Sequence, residues 1–143
     1  LTAENREKYK QLKIMDITQW LKEVVLPRIK VIRPKNRILL HPTCSCQIMG
    51  LTPVLLDIAR KCAREVILPD NWGCCGASGD RGFIFPELSD SATRDERDEI
   101  GHESFDGCYS LARTCEIAMQ DHIEQPYESI VYLVDETIQD QGT

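Results

Sequence analysis

The chain has 143 residues, of which 42% are hydrophobic and 28% charged, so it can bury the core of one globular domain and is too apolar to be disordered. Its net charge of −6 argues against nucleic acid or an anionic membrane surface as the main partner. No apolar run is long enough to span a bilayer as a helix.

The cysteine content distinguishes a disulfide-bonded secreted domain from a protein that uses free thiols. Seven cysteines are an odd number, which the disulfide framework of a small secreted domain normally avoids. The thiols are therefore expected to serve metal binding, redox chemistry or nucleophilic chemistry in a reducing compartment, and we expect a cytoplasmic location. Because the chain starts at Leu1 and not at Met, we expect it to be a fragment of a longer polypeptide.

The N-terminal segment, residues 1–36, is predicted to form lead-in helices and a linker. Residues 1–13 are polar and predict a short exposed helix or a frayed tail. From Asp16 onwards, apolar residues recur at helical spacing up to Val25, and a basic connector lies between Pro27 and Pro34. We expect this segment to pack against the following domain or against upstream sequence.

Residues 37–143 are predicted to form the domain proper, in which short apolar runs alternate with helical patterns. The predicted strands are 37–41, 65–69, 108–112 and 129–134. The predicted helices are 51–62, 87–100 with an inner face of Leu88, Ala92 and Ile100, and 115–124. This alternation predicts an α/β fold, with a mostly parallel four-stranded sheet and helices on both faces.

One loop stands out from the rest of the chain, because residues 73–83 place two adjacent cysteines among four glycines. Glycine permits backbone conformations with positive φ and lets other atoms approach the main chain closely. Adjacent cysteines do not have the geometry of a relaxed disulfide. The loop therefore predicts a surface that surrounds a thiolate-bound group, the alternative being a buried turn that carries two small thiols.

Four cysteines follow the ends of predicted strands. Cys44 follows the first strand, Cys74 and Cys75 follow the second, and Cys115 follows the third. Since the carboxyl ends of parallel strands meet at one edge of a sheet, we expect these thiols to converge there. Four thiolates could hold zinc or an iron–sulfur cluster, and the adjacent pair suits a cluster with several irons better than one small ion.

The remaining candidates are weighed separately. Cys46 is a possible auxiliary ligand, because it follows Cys44 in the same loop. His41 ends the first predicted strand and could hydrogen-bond a cysteine sulfur or ligate a metal, a structural role being the alternative. Cys62 and Cys108 are predicted to be core residues, because they lie on an apolar helix face and at the start of a strand.

Four sequence blocks together resemble a known family. They are 40–45 (Leu-His-Pro-Thr-Cys-Ser), 73–82 (Gly-Cys-Cys-Gly-Ala-Ser-Gly-Asp-Arg-Gly), 85–89 (Phe-Pro-Glu-Leu-Ser) and 113–116 (Arg-Thr-Cys-Glu). In this order they resemble the cysteine-rich CCG domain of heterodisulfide reductase subunits, glycolate oxidase iron–sulfur subunits and lactate-utilisation proteins. The sequence around the CCG core looks most like the C-terminal region of bacterial FAD-linked D-lactate dehydrogenases of the iron–sulfur type.

The resemblance implies a set of ligands. Cys44 matches the family's first cysteine, Cys74 and Cys75 match its pair, and Cys115 matches the second member of its final Cys-x-x-Cys. Ala112 stands where the first member of that motif would be, so four matching thiols remain, enough for one 4Fe-4S cluster. The five-cysteine arrangement of the noncubane clusters is not matched.

The resemblance also implies an electron-transfer role within a larger enzyme that oxidises D-lactate, glycolate or a similar 2-hydroxy acid. FAD would be bound by missing upstream domains, and electrons would pass through iron–sulfur centres to a quinone or a cytochrome. The isolated domain is expected to be inactive, with no catalytic residue of its own. A peripheral position on the inner face of the membrane is compatible with this role. The alternatives are a structural or assembly domain with an empty or zinc-occupied site, and a thiol–disulfide redox site.

Overall fold

The computed structural model describes residues 2–138, in which four parallel strands form one sheet in the order β2-β1-β3-β4. The strands are β1 (Lys35–Leu40), β2 (Ala63–Ile67), β3 (Gly107–Ser110) and β4 (Tyr127–Ser129). In the β1–β3 register, Leu39 lies beside Cys108. The predicted α/β fold with a four-stranded parallel sheet is confirmed.

Helices connect and flank the strands. They are α1 (Ala3–Lys8), α2 (Ile17–Trp20), α3 (Cys44–Ile48), α4 (Thr52–Cys62), α5 (Arg81–Ile84), α6 (Pro86–Ile100), α7 (Arg113–Ile123) and α8 (Ile130–Thr137). A π-helical turn (Leu21–Val25) and a 3₁₀ turn (Leu26–Arg28) continue α2. Between residues 2 and 138, none of the helices combines the length and apolar character needed to cross a bilayer.

The sheet has two covered faces, as predicted. Side chains alternate along a strand, so Ile38 and Leu40 of β1 pack on one side and Leu39 packs on the other. We call the side covered by α4 and α8 the first face; its core is almost entirely aliphatic. The side covered by α6 and α7 is the second face, and its core includes Cys75, Cys108, Cys115, Met119 and Tyr127.

The segment before β1 packs against the domain. The side chain of Asp16 caps α2 by accepting a hydrogen bond from the amide of Thr18 at 2.8 Å. Leu21 and Leu26 are buried in the core of the first face, and Lys22 Nζ lies 2.7 Å from Asp57 of α4. Helix α1, by contrast, buries none of its residues, as expected for a short exposed helix.

The last predicted strand is wrong over most of its length. Only Tyr127–Ser129 is strand, and the following apolar run forms α8. The hydroxyl of Ser129 caps the helix by accepting a hydrogen bond from the amide of Val131 at 3.4 Å. The buried residues Ile130, Leu133, Val134 and Thr137 recur at helical spacing, which the continuous apolar run conceals in the sequence.

The predicted inner face of α6 is also wrong, apart from Ile100. Leu88 and Ala92 are exposed, and the buried positions are Ser89, Thr93, Glu96 and Ile100. The hydroxyl of Thr93 donates to the carbonyl of Ser89 at 2.8 Å, so one buried polar group is satisfied within the helix. A helix whose inner side is polar defeats a search for apolar periodicity.

Candidate functional site

The candidate site lies where the order of the strands across the sheet reverses. Strands β1 and β3 are neighbours, but the connection after β1 leads to α4 on the first face and the connection after β3 leads to α7 on the second. Such a switch point opens a crevice at the carboxyl ends of the strands, where ligands bind in open α/β sheets. Cys44 begins α3 just after β1, and Cys115 lies in the first turn of α7.

All four cysteines predicted to converge line one pocket at this crevice. The pocket has a volume of about 320 Å³, and Cys44, Cys74, Cys75 and Cys115 all contribute to its wall. Cys44 and Cys74 are exposed, whereas Cys75 and Cys115 are buried. Ala112 lines the same pocket, so the departure from the family's Cys-x-x-Cys falls within the site.

Two glycines, one in the loop between β2 and α5 and one within α5, fit closely against neighbouring segments. Gly76 has φ +73°, and a Cβ at this position would lie 2.6 Å from the carbonyl oxygen of Leu88. A Cβ at Gly82 would lie 2.8 Å from the backbone Cα of Ala77, as well as 2.7 Å from Oγ of Ser89. Both positions therefore require glycine, which keeps Cys75 and Ala77 pressed into the core of the second face.

Cys75 and Cys115 form a hydrogen-bonded pair with their sulfur atoms 2.9 Å apart. The hydrogen bond with Cys115 lowers the pKa of Cys75 to about 6, against the opposing effect of burial, with help from the Ala77 amide and the charge of His41. The same hydrogen bond, together with burial and the neighbouring thiols, raises the pKa of Cys115. Of the two sulfurs, Cys75 is therefore the one that becomes a thiolate first.

The exposed thiols have weaker partners. The amide of Gly76 donates a hydrogen bond to Sγ of Cys74 at 3.4 Å and lowers its pKa. Burial and the neighbouring Cys75 and Cys44 outweigh this effect, so the pKa of Cys74 is raised overall. The side chain of Thr43 caps α3 by accepting a hydrogen bond from the amide of Cys46 at 3.2 Å, which fixes the start of the helix that carries Cys44.

The other cysteines lie away from the pocket. Cys46 is buried in the core of the first face, where burial raises the pKa of its thiol. Cys62 is buried in the same core, and Cys108 is buried on the second face, where burial raises its pKa to about 12. The predicted core positions of Cys62 and Cys108 are confirmed.

His41 is fully buried behind the pocket, in contact with a residue that the sequence pattern did not reveal. Its Nδ1 lies 3.1 Å from Oε2 and 3.3 Å from Oε1 of Glu96, which is itself buried. Its Nε2 is buried without a hydrogen-bond partner among residues 2–138. The only signal of Glu96 in the sequence is its spacing from Ser89, Thr93 and Ile100, which places all four on one side of α6.

The donor set of the pocket can be compared with known metal sites. Within the described residues 2–138, no three or more His, Cys, Asp or Glu side chains are arranged around the position of a single metal ion. A zinc ion would draw all its sulfur ligands to about 2.3 Å from one point. Four cysteine thiols at one pocket have the donor chemistry of an iron–sulfur cluster, in which each cysteine binds a different iron. The sulfurs of Cys75 and Cys115, which lie 2.9 Å apart, would have to separate before each could bind its own iron.

Comparison with known proteins gives no match, either to a family model or to a curated protein. The resemblance to the CCG domain therefore rests on the four sequence blocks and stays a prediction. The site itself stands on geometry, since three separate connections bring their thiols to one pocket.

Proposed function

We propose that this chain is an iron–sulfur electron-transfer domain, which binds one 4Fe-4S cluster through Cys44, Cys74, Cys75 and Cys115. The observation that carries the proposal is that these four thiols, and no other cysteine, line the pocket at the carboxyl edge of the sheet. Cysteine thiolate is the usual ligand of such clusters. When bound, the cluster would accept and release one electron at a time.

The chain's own residues would hold the cluster and control its surroundings. The Gly76 amide already donates to a cysteine sulfur, and hydrogen bonds of this kind tune the potential of a cluster. Burial of Cys75 and Cys115 shields one side of the pocket from water, whereas Cys44 and Cys74 leave the other side open. The open side is where an electron donor or acceptor would approach.

The wider role follows from the sequence resemblance. We propose that the domain belongs to an FAD-linked dehydrogenase of 2-hydroxy acids such as D-lactate or glycolate, with the flavin and further iron–sulfur centres in upstream domains. Electrons would leave towards a quinone or a cytochrome, from a position in the cytoplasm or on the inner face of the membrane. The isolated domain would carry electrons without oxidising the acid itself.

A second candidate function is a thiol–disulfide redox site. It is favoured by the 2.9 Å separation of the sulfur atoms of Cys75 and Cys115, which is close enough for the two residues to pair after a small movement. A domain of structural or assembly function, with zinc or nothing at the site, is the remaining alternative. The three candidate functions predict different contents of iron, sulfide and zinc in the purified protein.

The test is reconstitution without oxygen, followed by measurement of iron, sulfide, zinc, and the visible and EPR spectra. We expect about four irons and four sulfides per chain, with the EPR signal of a 4Fe-4S cluster after reduction. Cys75→Ala should lose most of the iron because it removes a ligand. Cys108→Ala is the matched control, since Cys108 is buried on the same face but does not line the pocket.

Three outcomes would contradict the cluster. Protein free of iron after reconstitution would exclude it, and one zinc per chain would favour the structural alternative. A disulfide between Cys75 and Cys115 that forms reversibly in iron-free protein would favour the thiol–disulfide site. If Cys75→Ala kept its full iron content, the assignment of the ligands would be wrong.

A further inference from the structure

The large apolar side chains that the fold leaves exposed are concentrated in two segments. One is residues 9–14, where Tyr9, Leu12 and Ile14 are exposed, Ile14 by 87%. The other is the turn from α5 into α6, where four such side chains lie within six residues, namely Phe83, Ile84, Phe85 and Leu88. Single exposed apolar residues are normal on a protein surface, whereas a cluster of them indicates a contact surface.

Helix α6 continues the second cluster along its outer side. Its buried side is polar, so Leu88 and Ala92 face away from the core and are exposed. Asp95 follows on the side of the helix that carries Leu88, two turns further on, and Asp98 lies one turn beyond Asp95. The outer side of α6 is therefore apolar where the helix begins and acidic towards its end. We call the exposed side chains of residues 83–98 the α6 surface.

The acidic part of the α6 surface lacks cations to pair with. Its two arginines both lie within ion-pair distance of Asp90, whereas Asp95 and Asp98 have no ion-pair partner among residues 2–138. Asp98 lies in the last turn of α6, where the negative end of the helix dipole makes a carboxylate unfavourable. A cation from outside would therefore stabilise this end of the helix.

The first cluster belongs to a segment of opposite charge. Residues 2–14, which we call the arm, contain four basic and two acidic residues. Two of the basic residues pair with nearby glutamates, whereas Arg6 and Lys8 have no ion-pair partner within the described part of the chain, residues 2–138. Helix α1, which lies within the arm, buries none of its residues. The arm thus combines exposed apolar side chains with unpaired cations, which complements the α6 surface.

Within one copy of the chain, the arm and the α6 surface lie on opposite sides of the sheet. Leu21 and Leu26, which follow the arm, are buried in the core of the first face, whereas α6 covers the second face. Lys13 Nζ lies 3.1 Å from Glu23 Oε2, which holds the end of the arm beside the segment on the first face. The complementary surfaces are therefore placed to meet between copies.

We propose that the arm of one copy docks on the α6 surface of a second copy, and that two such contacts, related by a two-fold axis, form a homodimer. Two α6 surfaces would repel each other because both are acidic, so the arm is the complementary occupant. A contact of this kind closes into a dimer when each copy both gives and receives an arm. Neither surface contains a cysteine, so the proposal does not depend on the proposed cluster.

The test is sedimentation equilibrium of the whole chain, reduced and free of iron, across a wide range of concentration. A thiol reductant keeps the exposed Cys44 and Cys74 from linking copies covalently. We expect the mass to rise from monomer to dimer with concentration, and the dissociation constant to increase with salt. A monomer at every concentration would overturn the proposal.

Charge reversal then tests which surfaces meet. The arm variant is Arg6→Glu with Lys8→Glu, and the helix variant is Asp95→Lys with Asp98→Lys. Each variant replaces attraction by repulsion in both contacts of the dimer, so each should raise the dissociation constant at least about tenfold. In an equal mixture of the two variants, every arm meets an α6 surface of opposite charge. We therefore expect the mixture to form a heterodimer although neither variant associates alone.

Two further variants separate this contact from general effects of charge and apolar surface. Lys61→Glu with Arg64→Glu changes the net charge as much as the arm variant does, but these exposed residues lie on α4 and β2, so dimerisation should persist. Leu12→Ser with Ile14→Ser leaves the charge unchanged and removes apolar contact, so it should weaken the dimer.

Three results would overturn the proposal even if the wild type is dimeric. Dimerisation of the arm variant and the helix variant as tight as that of the wild type would place the contact elsewhere. Failure of their mixture to associate would exclude the reciprocal docking of arms. An equal loss of association in the control variant would mean that net charge, and not the arm, governs association.

Discussion

The two faces of the sheet bury different kinds of residue. The first face has an aliphatic core between α4 and α8, with Leu40, Leu55 and Ile130 fully buried. The second face buries the thiols of Cys75 and Cys115, together with the His41–Glu96 pair. The first face therefore supplies hydrophobic stabilisation, and the second accommodates polar groups that cost free energy to bury.

The cysteines of the two faces show that hydrogen-bond partners, and not burial, separate reactive thiols from inert ones. Cys62 on the first face, Cys108 and Cys75 are all nearly inaccessible to solvent. Burial raises the pKa of Cys62, and it raises that of Cys108 to about 12. Only Cys75 has its pKa lowered, because Cys115 and the Ala77 amide stabilise its thiolate.

The strongest test of this comparison is a matched pair of cavity-creating substitutions, one on each face. Leu55 of α4 and Met119 of α7 are both fully buried. Leu55→Ala and Met119→Ala should each lower the free energy of unfolding by about 2–5 kcal/mol, measured by urea denaturation. Met119 lies one helical turn after Cys115, so only its truncation should also change the alkylation rate of Cys75.

Two results would break the comparison. An equal effect of Leu55→Ala on the Cys75 rate would mean that the first face also shapes the pocket. A much smaller loss of stability for Met119→Ala would mean that the second face packs loosely and contributes little hydrophobic stabilisation.

A smaller effect is expected from the loop that joins the site to α6. Gly76→Ala places a side chain at φ +73° and 2.6 Å from the Leu88 carbonyl, so it should cost about 2–3 kcal/mol of stability. Gly79→Ala is the matched control, because Gly79 has a similar φ of +77° but no atom within 4 Å of an added Cβ. We expect it to cost about 1 kcal/mol, from backbone strain alone.

The difference between these two alanine variants, measured by thermal and urea unfolding, isolates the close approach of the loop to α6. If both variants lost the same stability, the contact with Leu88 would relax freely. The loop would then not fix the position of Cys75.

The smallest expected effect is a pH dependence of stability that arises from the titration of Cys75. In iron-free, reduced protein, the pKa of Cys75 is about 6, below an unfolded value of about 8.5. Its contribution to stability is thus fully present above the unfolded pKa and is lost as the pH falls through about 6. The raised pKa of Cys115 opposes stability only above the ordinary thiol range, so it does not enter this window.

Urea midpoints should therefore rise between about pH 6 and about pH 8 by more in the wild type than in Cys75→Ala. Cys108→Ala should retain the wild-type slope, because a thiol with a pKa of about 12 does not titrate in this range. A slope that survives Cys75→Ala would assign the pH dependence to another group.

The sequence was sufficient to predict how the thiols come together. Strands β1, β2 and β3 were predicted to within a few residues, because each overlaps a short apolar run. Loops that follow parallel strands share one edge of the sheet. This rule alone brought Cys44, Cys75 and Cys115 to one place. It works because strand direction decides where a loop lies, whatever the details of packing.

Two features were beyond this reasoning for physical reasons. The run from Ile130 to Val134 is apolar at every position, so helix and strand share the same signal until packing selects one. Glu96 was missed because its spacing from Ser89, Thr93 and Ile100 places it on one side of α6 without showing that this side is buried. Its partner His41 lies on a different segment. Pairing between distant polar residues depends on tertiary structure.

The reversal of strand order between β1 and β3 has a consequence for the cohesion of the molecule. The segment that carries Cys44 leads to one layer of helices, and the segment that carries Cys115 belongs to the other. A group bound by both Cys44 and Cys115 would crosslink the two layers of helices at the edge of the sheet. Binding and folding would then form a single linked equilibrium, in which occupancy slows hydrogen exchange in α3 and α7 and the melting temperature rises with the supply of the bound group.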